Sequence, residues 1–136
     1  MNILVVDDDK EIRLLMSEII RQAGHKAITA DTGSRALQLA REQKFDAVFM
    51  DILLSDMNGV DLIPRFKILQ SKIPVIAMTG YNTPEMEARV RQQGITVYLS
   101  KPLLASDILT IIDHLAQMNH YGLINGNSCS GNNQTI

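Results

Sequence analysis

Short apolar runs alternate with segments of helical period along the whole first part of this chain, and that alternation limits the fold to very few forms. Ile3-Leu4-Val5-Val6 is a continuous apolar run bounded by Asp7, which reads as a strand buried on both faces. From Asp9 the period changes. Ile12, Leu15, Met16, Ile19, Ile20 and Ala23 fall on one face of a helix, and Gly24 ends it. Residues 26–30 read as a weaker strand, and Thr32 caps a helix through Ala36, Leu37, Leu39 and Ala40. Residues 45–50 form a strong buried strand. Asn58-Gly59 opens a third helix with Leu62, Ile63, Phe66 and Leu69 inward, and Pro64 is expected to kink it or make it irregular. Residues 74–78 are the fourth strand. Thr83-Pro84 starts a helix that runs to about Gln93, before Gly94. Residues 96–99 are the fifth strand, and the last helix spans Leu104 to about Met118 with Ile108, Ile111, Ile112 and Leu115 inward.

Five strand-helix units in strict alternation predict an α/β domain, a parallel sheet with helices on both faces. Crossovers are right-handed. The common doubly wound order for five strands is 2-1-3-4-5, the flavodoxin-like form. The 136 residues suit one domain, read as residues 1–119, with an Asn/Gly/Ser-rich flexible tail or linker over residues 120–136. Aromatic residues are only 4%, so the core must be aliphatic.

Several functions are disfavoured. The net charge of -2 lacks the clustered basic excess of a nucleic-acid surface. No apolar run approaches the roughly 18 residues of a membrane span. Cys129 is the single cysteine, so no internal disulfide can form, and a cytoplasmic location is expected.

The polar residues collect where strands end. The first strand ends in Asp7 and Asp8, the third in Asp51, the fourth in Thr79, and the fifth in Ser100-Lys101. In a doubly wound sheet these ends open on one edge, and ligands bind there at the switch point between the first and third strands. Two like charges about 4 Å apart repel by roughly 4 kcal/mol at an effective dielectric of ~20. Three carboxylates so placed call for protonation or a cation. Oxygen ligands without His or Cys point to a hard ion, and few protein carboxylates suit magnesium. A carboxylate there is a competent nucleophile toward phosphorus. Lys101 then neutralises phosphoryl oxygens and Thr79 hydrogen-bonds to one of them. Each residue also has a plainer reading. Asp7, Asp8 and Asp9 can cap the first helix, Asp51 can be a turn residue, and Thr79-Gly80 and Lys101-Pro102 can be loop exits.

Ile3 through Asp9, Asp51 through Gly59, Met78-Thr79-Gly80 and Tyr98 through Pro102 stand in an order and spacing that resembles the receiver domains of two-component response regulators. The resemblance covers about Asn2 to Met118. It implies that Asp51 accepts a phosphoryl group from a sensor histidine kinase or a histidine phosphotransfer protein. It implies that Asp8 binds magnesium directly, Asp7 through water, and Leu53 by its backbone carbonyl. Thr79 and Lys101 hold the phosphoryl group. Tyr98 is the switch aromatic that turns inward as Thr79 moves. The face of the fourth helix, fifth strand and fifth helix then meets a downstream protein partner, with no direct nucleic-acid or membrane binding.

The chain departs from the family pattern in three places. Leu54-Ser55 replaces the frequent Met-Pro, which predicts a looser loop. Leu53 and Tyr81 stand where relatives carry groups that orient the attacking water, which predicts a long-lived phospho-form. The alternative is a degenerate receiver, a binding module that works without phosphorylation. A metal-dependent hydrolase is disfavoured, because Leu53 occupies the place of its second acid.

Overall fold

The computed structural model describes the backbone of residues 1–128 and the side chains of residues 1–118. Strands β1 (Asn2–Val6), β2 (Lys26–Ala30), β3 (Ala47–Asp51), β4 (Val75–Thr79) and β5 (Val97–Ser100) alternate with helices α1 (Lys10–Gln22), α2 (Gly33–Glu42), α3 (Gly59–Leu69), α4 (Pro84–Arg91) and α5 (Ala105–Ser128). The strands form one parallel sheet in the order β2-β1-β3-β4-β5. This is the doubly wound order expected from the alternation, with its switch point between β1 and β3.

Period-two alternation along the strands divides the core into two layers. Ile3 and Val5 of β1 face one way, with Ala47, Phe49, Ile76 and Met78, and are covered by Met16, Ile19 and Ile20 of α1 and by Ile108, Ile112 and Leu115 of α5. Leu4 and Val6 face the other way, with Val48, Met50, Val75 and Ala77, under Ala36, Leu37, Leu39 and Ala40 of α2, Leu62, Ile63 and Phe66 of α3, and Val90 of α4.

Local signals set the helix ends. Thr32 Oγ1 accepts the Arg35 N–H at 3.0 Å, Asn58 Oδ1 the Val60 N–H at 2.8 Å, and Thr83 Oγ1 the Met86 N–H at 3.1 Å. Gly24 and Gly94 take positive φ just past α1 and α4, a conformation that costs glycine little. Helix α3 continues through Pro64 as one element.

Some expectations need correction. Leu15 is 46% exposed and Leu69 is 38% exposed, and Ala23 is exposed too. These three sit at the edge of their helical stripes, where the sheet no longer covers them. Helix α5 runs to Ser128, past the end expected near Met118. No proline stands in that stretch to remove a backbone donor. Residues 129–136 of the expected tail lie outside the described residues.

Candidate functional site

The sheet register brings the acids together. Val6 of β1 pairs with Met50 of β3, so the next residues, Asp7 and Asp51, emerge side by side. Asp51 in turn pairs with Met78 of β4, and Thr79 pairs with Ser100 of β5, one residue before Lys101. Asp7, Asp51 and Thr79 are all buried, at 0%, 6% and 1% exposure. Lys101 closes the cluster. Its Nζ donates to Asp7 Oδ2 at 2.8 Å and to Asp51 Oδ2 at 3.1 Å. The Lys101 backbone N–H also donates to the Thr79 carbonyl at 2.7 Å.

The run of three acids divides its work. Asp9 is the cap of α1, accepting the Glu11 N–H at 2.9 Å. Asp7 accepts the Asp9 N–H at 2.9 Å and points into the cluster, while Asp8 is exposed at its mouth. The capping reading therefore holds for Asp9 and not for its neighbours. Arg13, which sequence reasoning passed over, donates from Nη1 to the Asp7 carbonyl at 2.8 Å.

Burial pushes the Asp51 carboxyl up from its ordinary pKa. The Leu53 N–H, donated to Asp51 Oδ1 at 3.1 Å, opposes that rise, the charge of Asp7 adds to it, and Lys101 again opposes it. For Lys101 burial alone favours the neutral amine. Its hydrogen bond to Asp7 and the nearby charge of Asp51 outweigh that, and its pKa is raised. The two shifts share one geometry, an ammonium held between two carboxylates.

One oxygen from each of Asp7, Asp8 and Asp51 lies within 4.8 Å of the others. All the donors are oxygens. Three carboxylates against the ammonium of Lys101 leave two negative charges uncompensated within the cluster, which Arg13 offsets only from the rim. That donor set and that charge fit a hard divalent cation, magnesium among them.

The remaining candidates lie close by. The Leu53 backbone lies against Asp51 through its N–H, and its side chain is 42% exposed. The loop after β3 is not loose, as Leu54-Ser55 had suggested. Leu54 is buried, Leu53 bridges Asn58, and Asp56 accepts the Gly33 and Ser34 N–H groups at 2.9 and 3.0 Å. Those amides, with Gly33 the strongest influence, hold the Asp56 carboxyl below its ordinary pKa. Met57 fills the space beside Gly33, where an added Cβ would stand 2.6 Å from its Cγ.

Thr79 is within the cluster but turned to its own loop. Its Oγ1 donates to the Tyr81 carbonyl at 2.9 Å and accepts the Tyr81 N–H at 3.0 Å. The Tyr81 side chain is 64% exposed. Tyr98 is half-buried. Its hydroxyl donates to Asn82 Oδ1 at 3.1 Å, and the Arg91 guanidinium carbon lies 5.6 Å from its ring centroid.

The response regulator receiver domain matches residues 3–113. The chain belongs to that family. Receiver domains of this family serve two-component signalling and meet histidine kinases or phosphotransfer proteins and downstream effectors. The sporulation initiation phosphotransferase F of Bacillus subtilis is 30% identical over 106 residues, covering 78% of this chain and 86% of that protein. The sensory/regulatory protein RpfC of Xanthomonas campestris pv. campestris is 30% identical over 120 residues, covering 85% of this chain. The chain spans only 16% of the length of RpfC. A CheY-like response regulator receiver domain protein from Methanospirillum hungatei superimposes with a TM-score of 0.82 at 29% identity, over 89% of this chain and 98% of that one. Among the described residues no helix is long and apolar enough to cross a membrane.

Proposed function

We propose that this receiver is a phosphorylation switch whose acceptor is the carboxylate of Asp51. The observation that carries the reading is the convergence of Asp7, Asp8, Asp51 and Lys101 at the ends of three strands. A carboxylate oxygen of Asp51 attacks the phosphorus of a phosphohistidine on a sensor kinase or a phosphotransfer protein. A P–O bond forms, the P–N bond breaks, and the imidazole nitrogen leaves with the electron pair and takes a proton. Hydrolysis later returns the carboxylate and releases inorganic phosphate. Asp8, Asp7, Asp51 and the Leu53 carbonyl are the residues that would hold magnesium, which when bound supplies charge neutralisation to the transferring group. Lys101 neutralises phosphoryl oxygens at its ammonium, and Thr79 donates its hydroxyl to one of them after leaving Tyr81.

The output is a shift of population. Phosphorylation favours the form with Thr79 and Tyr98 turned inward, and the face of α4, β5 and α5 then presents a different surface to a protein partner. The receiver unit spans residues 1–119, and the segment from residue 120, whose first part continues helix α5 to Ser128, is a tail or linker, in a cytoplasmic protein that makes no direct nucleic-acid contact. Leu53 and Tyr81 carry no amide or acid to orient a water, which supports a long-lived phospho-form. Chemically it is a self-catalysing acceptor rather than an enzyme acting on other substrates.

Intact mass spectrometry with acetyl phosphate tests this. A magnesium-dependent gain of one phosphoryl group, absent in Asp51→Asn, is expected. No gain from acetyl phosphate or from any phosphohistidine donor, in folded protein, would move the binding-module reading to first place. Loss of the label within seconds would overturn the long lifetime.

A further inference from the structure

Thr79 and Tyr98 are held by one short loop. Thr79 Oγ1 exchanges both of its hydrogen bonds with the backbone of Tyr81. The next residue, Asn82, reaches across to β5. Its Oδ1 accepts the Tyr98 hydroxyl at 3.1 Å and its Nδ2 donates to Ser100 Oγ at 3.3 Å. Tyr98 and Ser100 are two apart on the strand and so share a face, and the amide of Asn82 spans both. Arg91 flanks the ring, itself paired with Glu87 at 2.8 Å one helical turn earlier.

We infer that Asn82 is a positioning residue that latches Tyr98 outward and so sets how much of the receiver is in the inward form before any phosphoryl group arrives. The inference rests on Thr79 and Tyr98 being the switch pair, and it adds a residue that neither touches the phosphoryl group nor contributes to the acid cluster. Asn82 is exposed, so its bonds compete with water and are weak enough to break in the switch. Removing the acceptor takes one hydrogen bond from the outward form alone. The inward population then rises about twofold to tenfold. A ligand that favours the inward form gains apparent affinity by the same factor while that form is scarce.

The test uses the full chain with tyrosine rings labelled in 13C. The chain has three tyrosines, and the Tyr98 signal is the one lost in Tyr98→Phe. In unphosphorylated protein, Asn82→Ala is expected to move that signal, and Asn82→Asp, which keeps an acceptor, to return it. With acetyl phosphate and magnesium, Asn82→Ala is expected to label about twofold to tenfold faster than the parent, and to have no effect in a Tyr98→Phe background. An unmoved ring signal, or the same acceleration without the Tyr98 hydroxyl, overturns the latch. If Asp51 accepts no label from any donor, the acceptor reading fails and the ring signal alone decides the latch. If labelling is normal and the signal does not move, the latch fails alone.

Discussion

The two ends of the sheet's carboxyl edge, the proposed acceptor site and the proposed switch, are built differently. At the acid end, every residue of β3 and β4 is buried, and Asp7 and Asp51 emerge from the middle of the sheet onto a shared ammonium. At the switch end, β5 has no fully buried residue and α4 has one, Val90. The acid end is held by core packing and by charge-assisted hydrogen bonds. The switch end is held by a phenol, an amide and a guanidinium that all reach solvent. A group that must be in place when phosphorus arrives gains from rigid support. A segment that must change position at modest cost is drawn from the less stable part of a fold. On the proposed function, the chemistry and the response fall on opposite sides of that divide.

The divide can be broken first in the core. Phe49 of β3 is fully buried beneath α1 and α5. Phe49→Ala should cost about 4 kcal/mol, as transfer and cavity terms add. Val97→Ala in half-buried β5 should cost only about 1 kcal/mol. Urea unfolding followed by circular dichroism checks both. Similar losses at the two sites would mean that the switch end is as firmly packed as the acid end.

Next is the charge at the acid end. Lys101→Met removes the ammonium and leaves Asp7, with no exposure, and Asp51 facing each other unpaired. A loss of about 3 kcal/mol is expected in the absence of divalent ions. The contribution has a direction in pH. The Lys101 pKa is raised in the folded protein, so its stabilisation is fully present below the unfolded value, about 10.4, and is lost as pH rises through the folded value. On the alkaline side the stability gap between parent and variant should therefore persist through mildly alkaline pH and close only in strong alkali. Magnesium should stabilise the variant more than the parent, because it restores the missing positive charge. A gap already closed in mildly alkaline solution would break the ion-pair account.

What was legible in the sequence follows the same divide. Buried parallel strands must be continuous apolar runs, so the acids that interrupt them at Asp7 and Asp51 stand out, and the strand order places them together. The inward residues of α2 follow from spacing alone. Leu15 does not, because Leu15 and Met16 fit the same periodic pattern and only the sheet's extent decides which is covered. Of three consecutive aspartates, the sequence does not say that Asp9 caps α1 while Asp7 turns inward; the backbone angles at the turn decide it. Asn82 and Arg13 are exposed or half-buried polar residues in loops and first turns, with no periodicity to mark them. Their roles come from distances between elements, which no local pattern encodes.

The smallest expected effect concerns two loops rather than two strands. The loop after β3 and the loop after β4 each carry an amide or acid that reaches another element. Asp56 reaches the backbone amides of Gly33 and Ser34 at the start of α2, and Asn82 reaches side chains of β5. Backbone amides at a helix start are fixed and carry partial positive charge, so Asp56 should hold its loop in both forms of the switch. Asp56→Ala removes what amounts to a cap and should cost about 1 kcal/mol. Its sign in pH is opposite to that of Lys101. The folded pKa of Asp56 is depressed by those amides, so its stabilisation is present above the unfolded value, near 3.9, and is lost as pH falls through the folded value. Urea midpoints of parent and variant should differ at pH 6 and converge only as pH falls below the ordinary carboxylate range. If Asp56→Ala instead accelerates labelling by acetyl phosphate as Asn82→Ala is expected to do, the loop after β3 belongs to the moving part, and the boundary between fixed and mobile ends must be redrawn through the acid end itself.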